Sequence, residues 1–168
     1  MKELAVQHGA FDPQGRRLAG SGHDSTVRIW NSSGRGAPTV LRGHGDASKE
    51  IAFSPDGIRL ISASIDGTAR ECDTRGKAAP VVLRGHSGTV EGVAFSPDGD
   101  WVASAGKDST VRLWRTRAGG EPVTFEDFGT SVESVTFTSD ARHLATSHGD
   151  GSVRLWRCDA CGPIQQWL

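Results

Sequence analysis

Residues 90–114 of the chain read VEGVAFSPDGDWVASAGKDSTVRLW. This stretch holds three short runs rich in β-branched and aromatic residues, a composition typical of β-strands. The runs lie at 90–95, 101–105 and 110–114. Ser-Pro-Asp-Gly at 96–99 favours a tight turn, because proline fixes φ and glycine accepts a positive φ. A fourth run follows at 122–125, and no intervening segment is long enough for a helix. The stretch therefore predicts a four-stranded antiparallel sheet.

The same pattern recurs every 42 residues along the 168-residue chain. Three independent landmarks share this period, so chance is a poor explanation for it. They are Phe11, Phe53, Phe95 and Phe137; Asp24, Asp66, Asp108 and Asp150; and Trp30, Cys72, Trp114 and Trp156. A sheet of this kind buries its two faces only by stacking against neighbouring sheets, so we expect four stacked repeats.

The repeats resemble the WD40 (WD-repeat) family. The resemblance rests on Leu-Arg-Gly-His at 83–86, Phe-Ser-Pro-Asp-Gly at 95–99 and Asp-Ser-Thr-Val-Arg-Leu-Trp at 108–114. It implies an all-β β-propeller fold in which every repeat is one blade of four antiparallel strands. Residues 1–168 then form a single WD40 unit, with blades at approximately 1–42, 43–84, 85–126 and 127–168.

The resemblance also implies a polar framework in each blade, made of a histidine, a serine or threonine, an aspartate and a tryptophan. Buried groups of these types must satisfy one another's hydrogen bonds, so we expect a structural role and no catalytic one. Blade three is complete, with His86, Ser104, Asp108 and Trp114. Blade two has His44, Ser62 and Asp66, with Cys72 at the tryptophan position. Blade four has Thr146, Asp150 and Trp156, with Phe128 at the histidine position, and blade one has Asp24 and Trp30.

A repeated ring with loops on two faces favours binding over catalysis, and the sequence contains no nucleophile elbow or phosphate-cradling loop. We therefore predict a non-catalytic scaffold, without cofactor or metal, that binds a protein or peptide partner. The alternative is a propeller hydrolase or a carbohydrate-binding propeller with a site in the central channel. The residues expected on the partner-binding face are His23, Ile65, Lys107, Lys49, Glu91 and Glu133.

Composition indicates which classes of partner and which cellular compartment to expect. The net charge is −1, from 19 Lys and Arg against 20 Asp and Glu, so we expect neither nucleic acid nor membrane as a partner. Three cysteines are too few for a disulfide framework, which favours a reducing cytoplasm. Cys158 and Cys161 have the spacing of half a zinc site, but no matching second pair exists, so an ordinary loop is the favoured interpretation.

Ring closure sets a further expectation. A blade in a four-bladed ring spans about 90°, against about 45° in an eight-bladed ring, and these blades are no bulkier than ordinary ones. We therefore predict that two chains form a homodimer with eight blades, and that Trp167 and Leu168 lie near the junction. The alternative is that the chain is a fragment of a longer propeller.

Glu71 departs from the repeat, since the equivalent residues are Ile29, Leu113 and Leu155. A carboxylate at an apolar strand position must find a partner, take up a proton or reach water. We expect a tolerant blade in which this side chain reaches solvent. The alternative is a specialised contact in blade two.

Overall fold

The structure is a computed structural model, and it describes residues 6–116, 120–126 and 129–158. All regular structure in these ranges is β-strand, in fifteen strands. They are β1 Val6–Phe11, β2 Arg17–Gly22, β3 Val27–Asn31, β4 Thr39–Leu41, β5 Ser48–Phe53, β6 Arg59–Ser64, β7 Thr68–Asp73, β8 Val81–Arg84, β9 Val90–Phe95, β10 Trp101–Gly106, β11 Val111–Arg115, β12 Val123–Phe125, β13 Val132–Phe137, β14 His143–His148 and β15 Val153–Arg157.

The strands form four antiparallel sheets, each connected in simple sequential order. Strands β1–β4, β5–β8 and β9–β12 make three four-stranded sheets, and β13–β15 make a sheet of three described strands. The last strand expected in blade four falls at residues 163–168, outside the described residues. The all-β fold with one sheet for each 42-residue repeat is confirmed.

Three apolar clusters hold the four sheets together, one at each interface between consecutive sheets. In the cluster between the third and fourth sheets, Val111 and Leu113 of β11 pack with Val132 of β13 and Leu144 of β14. The first strands of neighbouring sheets also lie side by side, β1 with β5, β5 with β9 and β9 with β13. Each of the two central blades thus has one face covered by the preceding blade and the other covered by the following one.

The turn between the first two strands of each blade is fixed by local side chains. In blade three, the Ser96 hydroxyl donates to the Asp98 carboxylate and accepts the backbone N–H of Trp101 at 2.9 Å. Gly99 then adopts a φ of 75°, a conformation that strains any residue with a side chain. The same contacts recur between Ser54 and Asp56 in blade two, so the Ser-Pro-Asp-Gly motif encodes one rigid turn.

Two arginines tie these turns to the preceding blade. Arg17 Nη2 of blade one donates to the carbonyl oxygen of Gly57 in blade two at 2.6 Å, and its guanidinium lies over the Phe53 ring. Arg59 Nη2 of blade two donates to the carbonyl oxygen of Gly99 in blade three at 2.9 Å, over the Phe95 ring. We call this repeated contact the arginine clasp.

Glu71 belongs to the second clasp. Its side chain is buried, and its Oε1 accepts a hydrogen bond from Arg59 Nη1 at 2.7 Å. The prediction that Glu71 reaches solvent is wrong, because Arg59 on the adjacent strand supplies the opposite charge that a buried carboxylate requires. The neighbouring Cys72 is also buried, and burial raises the pKa of its thiol to about 11.

Candidate functional site

The framework of blade three is centred on the hydroxyl of Ser104 in β10. Its Oγ lies 2.9 Å from the indole Nε1 of Trp114 and 2.8 Å from Nε2 of His86. The other ring nitrogen of His86 lies 3.0 Å from the carboxylate of Asp108. We assign the tautomer from this network: Trp114 donates to Ser104, Ser104 donates to His86, and His86 donates to Asp108.

Blade two repeats this arrangement without the indole. His44 Nε2 lies 2.8 Å from the Ser62 hydroxyl, and His44 Nδ1 lies 3.0 Å from Asp66. Cys72 occupies the tryptophan position and brings no indole N–H to Ser62. Blade two therefore carries the histidine half of the framework only.

The turn aspartates of these two blades hold loop and turn together. Asp66 accepts the backbone N–H of Gly45 at 2.8 Å and both the N–H and the hydroxyl of Thr68. Burial acts to raise the pKa of Asp66, but the hydrogen bonds from Thr68, Gly45 and His44 outweigh it and hold this pKa below its usual range. Burial lowers the pKa of His44 in spite of the nearby carboxylate. The pair is therefore a neutral histidine donating to an ionised aspartate.

In blade four the histidine comes from a different place in the sequence. Trp156 Nε1 donates to Thr146 Oγ1 at 2.9 Å, and the same oxygen lies 2.8 Å from Nε2 of His148. His148 is buried and lies only two residues after Thr146 on β14. The equivalent residue in blade three is Gly106, where an added Cβ would lie 2.5 Å from the His86 ring. In blade three, therefore, a side chain at this position would displace the His86 ring, whereas blade two accommodates both His44 and Ser64.

Sequence analysis did not identify His148 as a framework residue. Phe128, which stands at the usual histidine position, lies outside the described residues. The available signal was the spacing, because His148 falls midway between Thr146 and Asp150 at a position that is glycine in blade three. Asp150 itself accepts the N–H of Ser152 at 2.8 Å and contacts Arg154 at 3.4 Å.

Blade one keeps the aspartate in another setting. Asp24 contacts Arg28 Nη2 at 2.6 Å and accepts the Thr26 hydroxyl, and these hydrogen bonds lower the pKa of Asp24 to about 2. An added Cβ at Gly20, in the serine position, would lie 3.0 Å from the Trp30 ring. The structure therefore places Asp24 against an arginine and Trp30 against a glycine, so the two do not share a serine as in blade three.

The predicted partner-binding residues are only partly brought together. Glu91 on β9 lies between two lysines, with its carboxylate 3.5 Å from Lys49 Nζ and 3.3 Å from Lys107 Nζ. These three residues span blades two and three, and we call them the lysine–glutamate cluster. The remaining predicted residues are separate: His23 contacts Gln7 at 2.7 Å, Ile65 is exposed, and Glu133 accepts the Ser131 hydroxyl.

Glu50, the neighbour of Lys49 on β5, was not predicted as part of this region. Its carboxylate accepts the backbone N–H of Val93 on β9 at 3.1 Å, so it joins the first strands of two blades. Burial raises the pKa of Glu50. Gly92 makes this approach feasible, because an added Cβ there would meet Glu50 Oε2 at 3.2 Å and the β13 backbone at 2.8 Å.

The described part of the chain contains no group of three or more His, Cys, Asp or Glu side chains able to hold a metal ion. Cys158 is buried, and Cys161 lies outside the described residues. No helix in the described ranges has the length and apolarity to cross a membrane.

Comparison with protein families gives one match. The family described as "WD domain, G-beta repeat" matches four consecutive segments, at residues 4–31, 37–73, 79–115 and 121–157. No curated protein matches the chain. Each segment ends at the last residue of the third strand of a blade, so the four matches share the register of the four sheets.

The framework predicts a difference between two equivalent serines. Ser104→Ala removes the acceptor of the Trp114 indole N–H and the partner of His86. Ser62→Ala removes the partner of His44 and a 3.5 Å contact with the Arg70 carbonyl oxygen, but it leaves no indole N–H without an acceptor. We expect Ser104→Ala to lower the free energy of unfolding by about 1–3 kcal/mol more than Ser62→Ala, the cost of a stranded buried donor. Urea denaturation of the two variants measures this, and equal losses would contradict the assigned network.

Blade four predicts a pH dependence. Burial, with a smaller contribution from Arg154, lowers the pKa of His148 below its usual value of 6.5, so the folded state favours the neutral ring. Its stabilisation is complete above about pH 6.5 and is lost as pH falls below that value, by up to about 1.4 kcal/mol per pH unit. We expect His148→Gln to lose less stability than the wild type between about pH 7.5 and 5.5 in urea titrations. The titration of His44 and His86 is common to both proteins, so identical losses would mean that His148 does not contribute.

Proposed function

The chain belongs to the WD40 repeat family, and from this premise we propose that it is a non-catalytic scaffold that binds a protein or peptide on its loop face. The family is generally non-catalytic, and its propellers commonly mediate contacts between proteins. We further propose that residues 1–168 form one unit of four blades, near 1–42, 43–84, 85–126 and 127–168. Cys72 is a buried free thiol, which supports the cytoplasmic location that we propose.

The observation that carries the binding proposal is the lysine–glutamate cluster. It joins two blades at the end of the sheets where the turn aspartates lie, and the framework below it is rigidly hydrogen-bonded. The side chain of Lys107 is 55% exposed while that of Glu91 is 10% exposed, so the cations face outward over a largely covered carboxylate.

Ile65 extends this surface. It occupies the turn position in blade two that Lys107 occupies in blade three, and it is 41% exposed. Lysine ammonium groups and an exposed aliphatic side chain at the same end of the sheets would match a partner segment that carries both carboxylates and an apolar residue. We propose His23 and Glu133 as outer members of the same face, in blades one and four.

Selection from a displayed peptide library tests this face. We expect the selected peptides to lose at least tenfold in affinity for Lys107→Glu, since reversing one charge places like charges across the interface. The matched control is Arg75→Glu, an exposed arginine at the other end of β7, which should bind like the wild type. Peptides equally sensitive to both variants would overturn the assignment of the face. Turnover on a panel of esters, or binding on a panel of glycans, would favour the alternative function.

We also propose that a second copy of the chain closes the ring. Val153 and Leu155 of β15 are 75% and 50% exposed, whereas Val111 and Leu113 at the same positions of β11 are 1% and 0% exposed. In blade three these positions are covered by the next blade. The outer face of blade four therefore has the composition of a blade interface.

The opposite end of the chain offers the complementary face. Phe11 is 64% exposed and Val6 is 47% exposed, whereas Val90 and Val132, the equivalents of Val6, are fully buried against a preceding blade. Blade one of a second copy would present to blade four the kind of face that already covers blades one to three. Two such junctions related by a two-fold axis would close the assembly.

Native mass spectrometry tests ring closure. We expect a single species at twice the 17.8 kDa chain mass. Leu155→Glu should shift it to the monomer, because a carboxylate would be buried without a partner. The control Ile58→Glu changes an exposed residue away from both end faces and should remain dimeric. A stable wild-type monomer, or an open-ended series of larger species, would overturn closure by two copies.

A further inference from the structure

The position that carries the arginine of the clasp recurs every 42 residues, at 17, 59, 101 and 143. Arg17 and Arg59 stand at the start of the second strand of blades one and two, and each reaches the turn of the following blade. Trp101 holds the same position in blade three and belongs to the apolar cluster that includes Phe137 of blade four. The first residue of β14, His143, is the fourth member of the series. Each of the three described junctions thus carries a large side chain from this position.

The receiving side of the clasp is equally regular. Arg17 packs on Phe53 and binds the Gly57 carbonyl, and Arg59 packs on Phe95 and binds the Gly99 carbonyl. The equivalent pair in blade one is Phe11 and Gly15. Gly15 has a φ of 67°, close to the 70° of Gly57 and the 75° of Gly99, so the turn has the same form. Phe11 is 64% exposed, and no aromatic or cationic residue of a preceding blade covers it among the described residues.

We propose that His143 forms the clasp of the closing junction, packing on Phe11 and donating a ring N–H to the Gly15 carbonyl of the second copy. This inference rests on the ring closure proposed above and assigns the contact that sets its register. The imidazole ring is planar and aromatic like the Trp101 indole, so it can stack on a phenylalanine. It also carries at least one N–H donor, which the carbonyl requires.

The proposed clasp differs from the internal ones in strength. A guanidinium carries five N–H donors and a fixed positive charge, and Arg17 uses them to bind Gly57, Thr74 and Asp12 together. An imidazole offers at most two N–H donors, so it can hold the carbonyl but cannot bind three partners as Arg17 does. In its own blade His143 is paired in register with Arg157 on β15, and Asp140 and Arg142 lie in the turn before it. Asp12, Arg16 and Arg17 would face it from the incoming blade. We therefore expect the His143 clasp to be weaker than the two arginine clasps within the chain.

Sedimentation analysis of the dimer over a concentration series tests the assignment. We expect His143→Arg to tighten the dimer several-fold, up to about tenfold, because it restores the clasp of the internal junctions. His143→Ala and Phe11→Ala should each weaken it, and the double variant should weaken it by less than the product of the two. The control Arg75→Ala should leave the dissociation constant unchanged.

The outcomes separate this inference from the proposal on which it rests. A wild-type dimer unaffected by all His143 substitutions would overturn the clasp while leaving ring closure in place. A wild-type monomer at every concentration would overturn ring closure and the clasp with it. A circular dichroism spectrum matching the wild type shows for each variant that the fold is unchanged and that the effect is on association. His143→Arg is expected to increase dimer affinity, an effect that misfolding would not produce.

Discussion

The rest of the structure depends on one shared hydroxyl group in the second strand of a blade. Ser104 accepts the indole N–H of Trp114 and donates to His86, so a single atom links the third strand, the second strand and the loop before the first. A buried indole N–H without an acceptor costs about 1–3 kcal/mol, which ties the two residue types together. Thr146 performs the same task for Trp156 with a different histidine. The framework is thus a series of hydrogen bonds in which each donor needs an acceptor. The histidine in this series can come from different positions in the sequence.

The last acceptor in each series of hydrogen bonds determines which parts of the blade the series connects. In blades two and three it ends on Asp66 and Asp108, whose carboxylates also bind loop amides and turn threonines. The loop before the first strand and the turn after the second strand are therefore held together by hydrogen bonds near the lysine–glutamate cluster. In blade four the histidine belongs to β14, so the described contacts stay within the sheet. The two central blades consequently present their loop-face side chains from the more rigid support, which favours selective binding because less order has to be created on contact.

The sequence predicted the strands, the turns and the residues that the 42-residue repeat places at equivalent positions. Strands and Ser-Pro-Asp-Gly turns follow from residues a few positions apart, and the 42-residue register placed Ser104 and Trp114 together because equivalent residues occupy equivalent places. It did not predict contacts that depart from the repeat within a blade. Glu71 is buried because Arg59, distant in sequence, comes to lie beside it, and His148 joins Thr146 because a loop histidine is replaced from the strand. The replacement in blade four keeps a histidine bonded to the threonine hydroxyl but takes it from another position, so a pattern tied to fixed positions does not reveal it.

Repetition also has a consequence at the two ends of the array. A four-stranded sheet has two faces, and four sheets joined in a row cover only the faces at three interfaces. The end faces could have become polar without disturbing any interface between described strands, because no described blade packs on them. Val153 and Leu155 instead match Val111 and Leu113 in type, and Phe11 keeps the residue that receives an arginine in blades two and three. Apolar side chains at those positions are unfavourable in water and favourable in a junction. The residue types at the two ends are therefore those of surfaces that another blade covers.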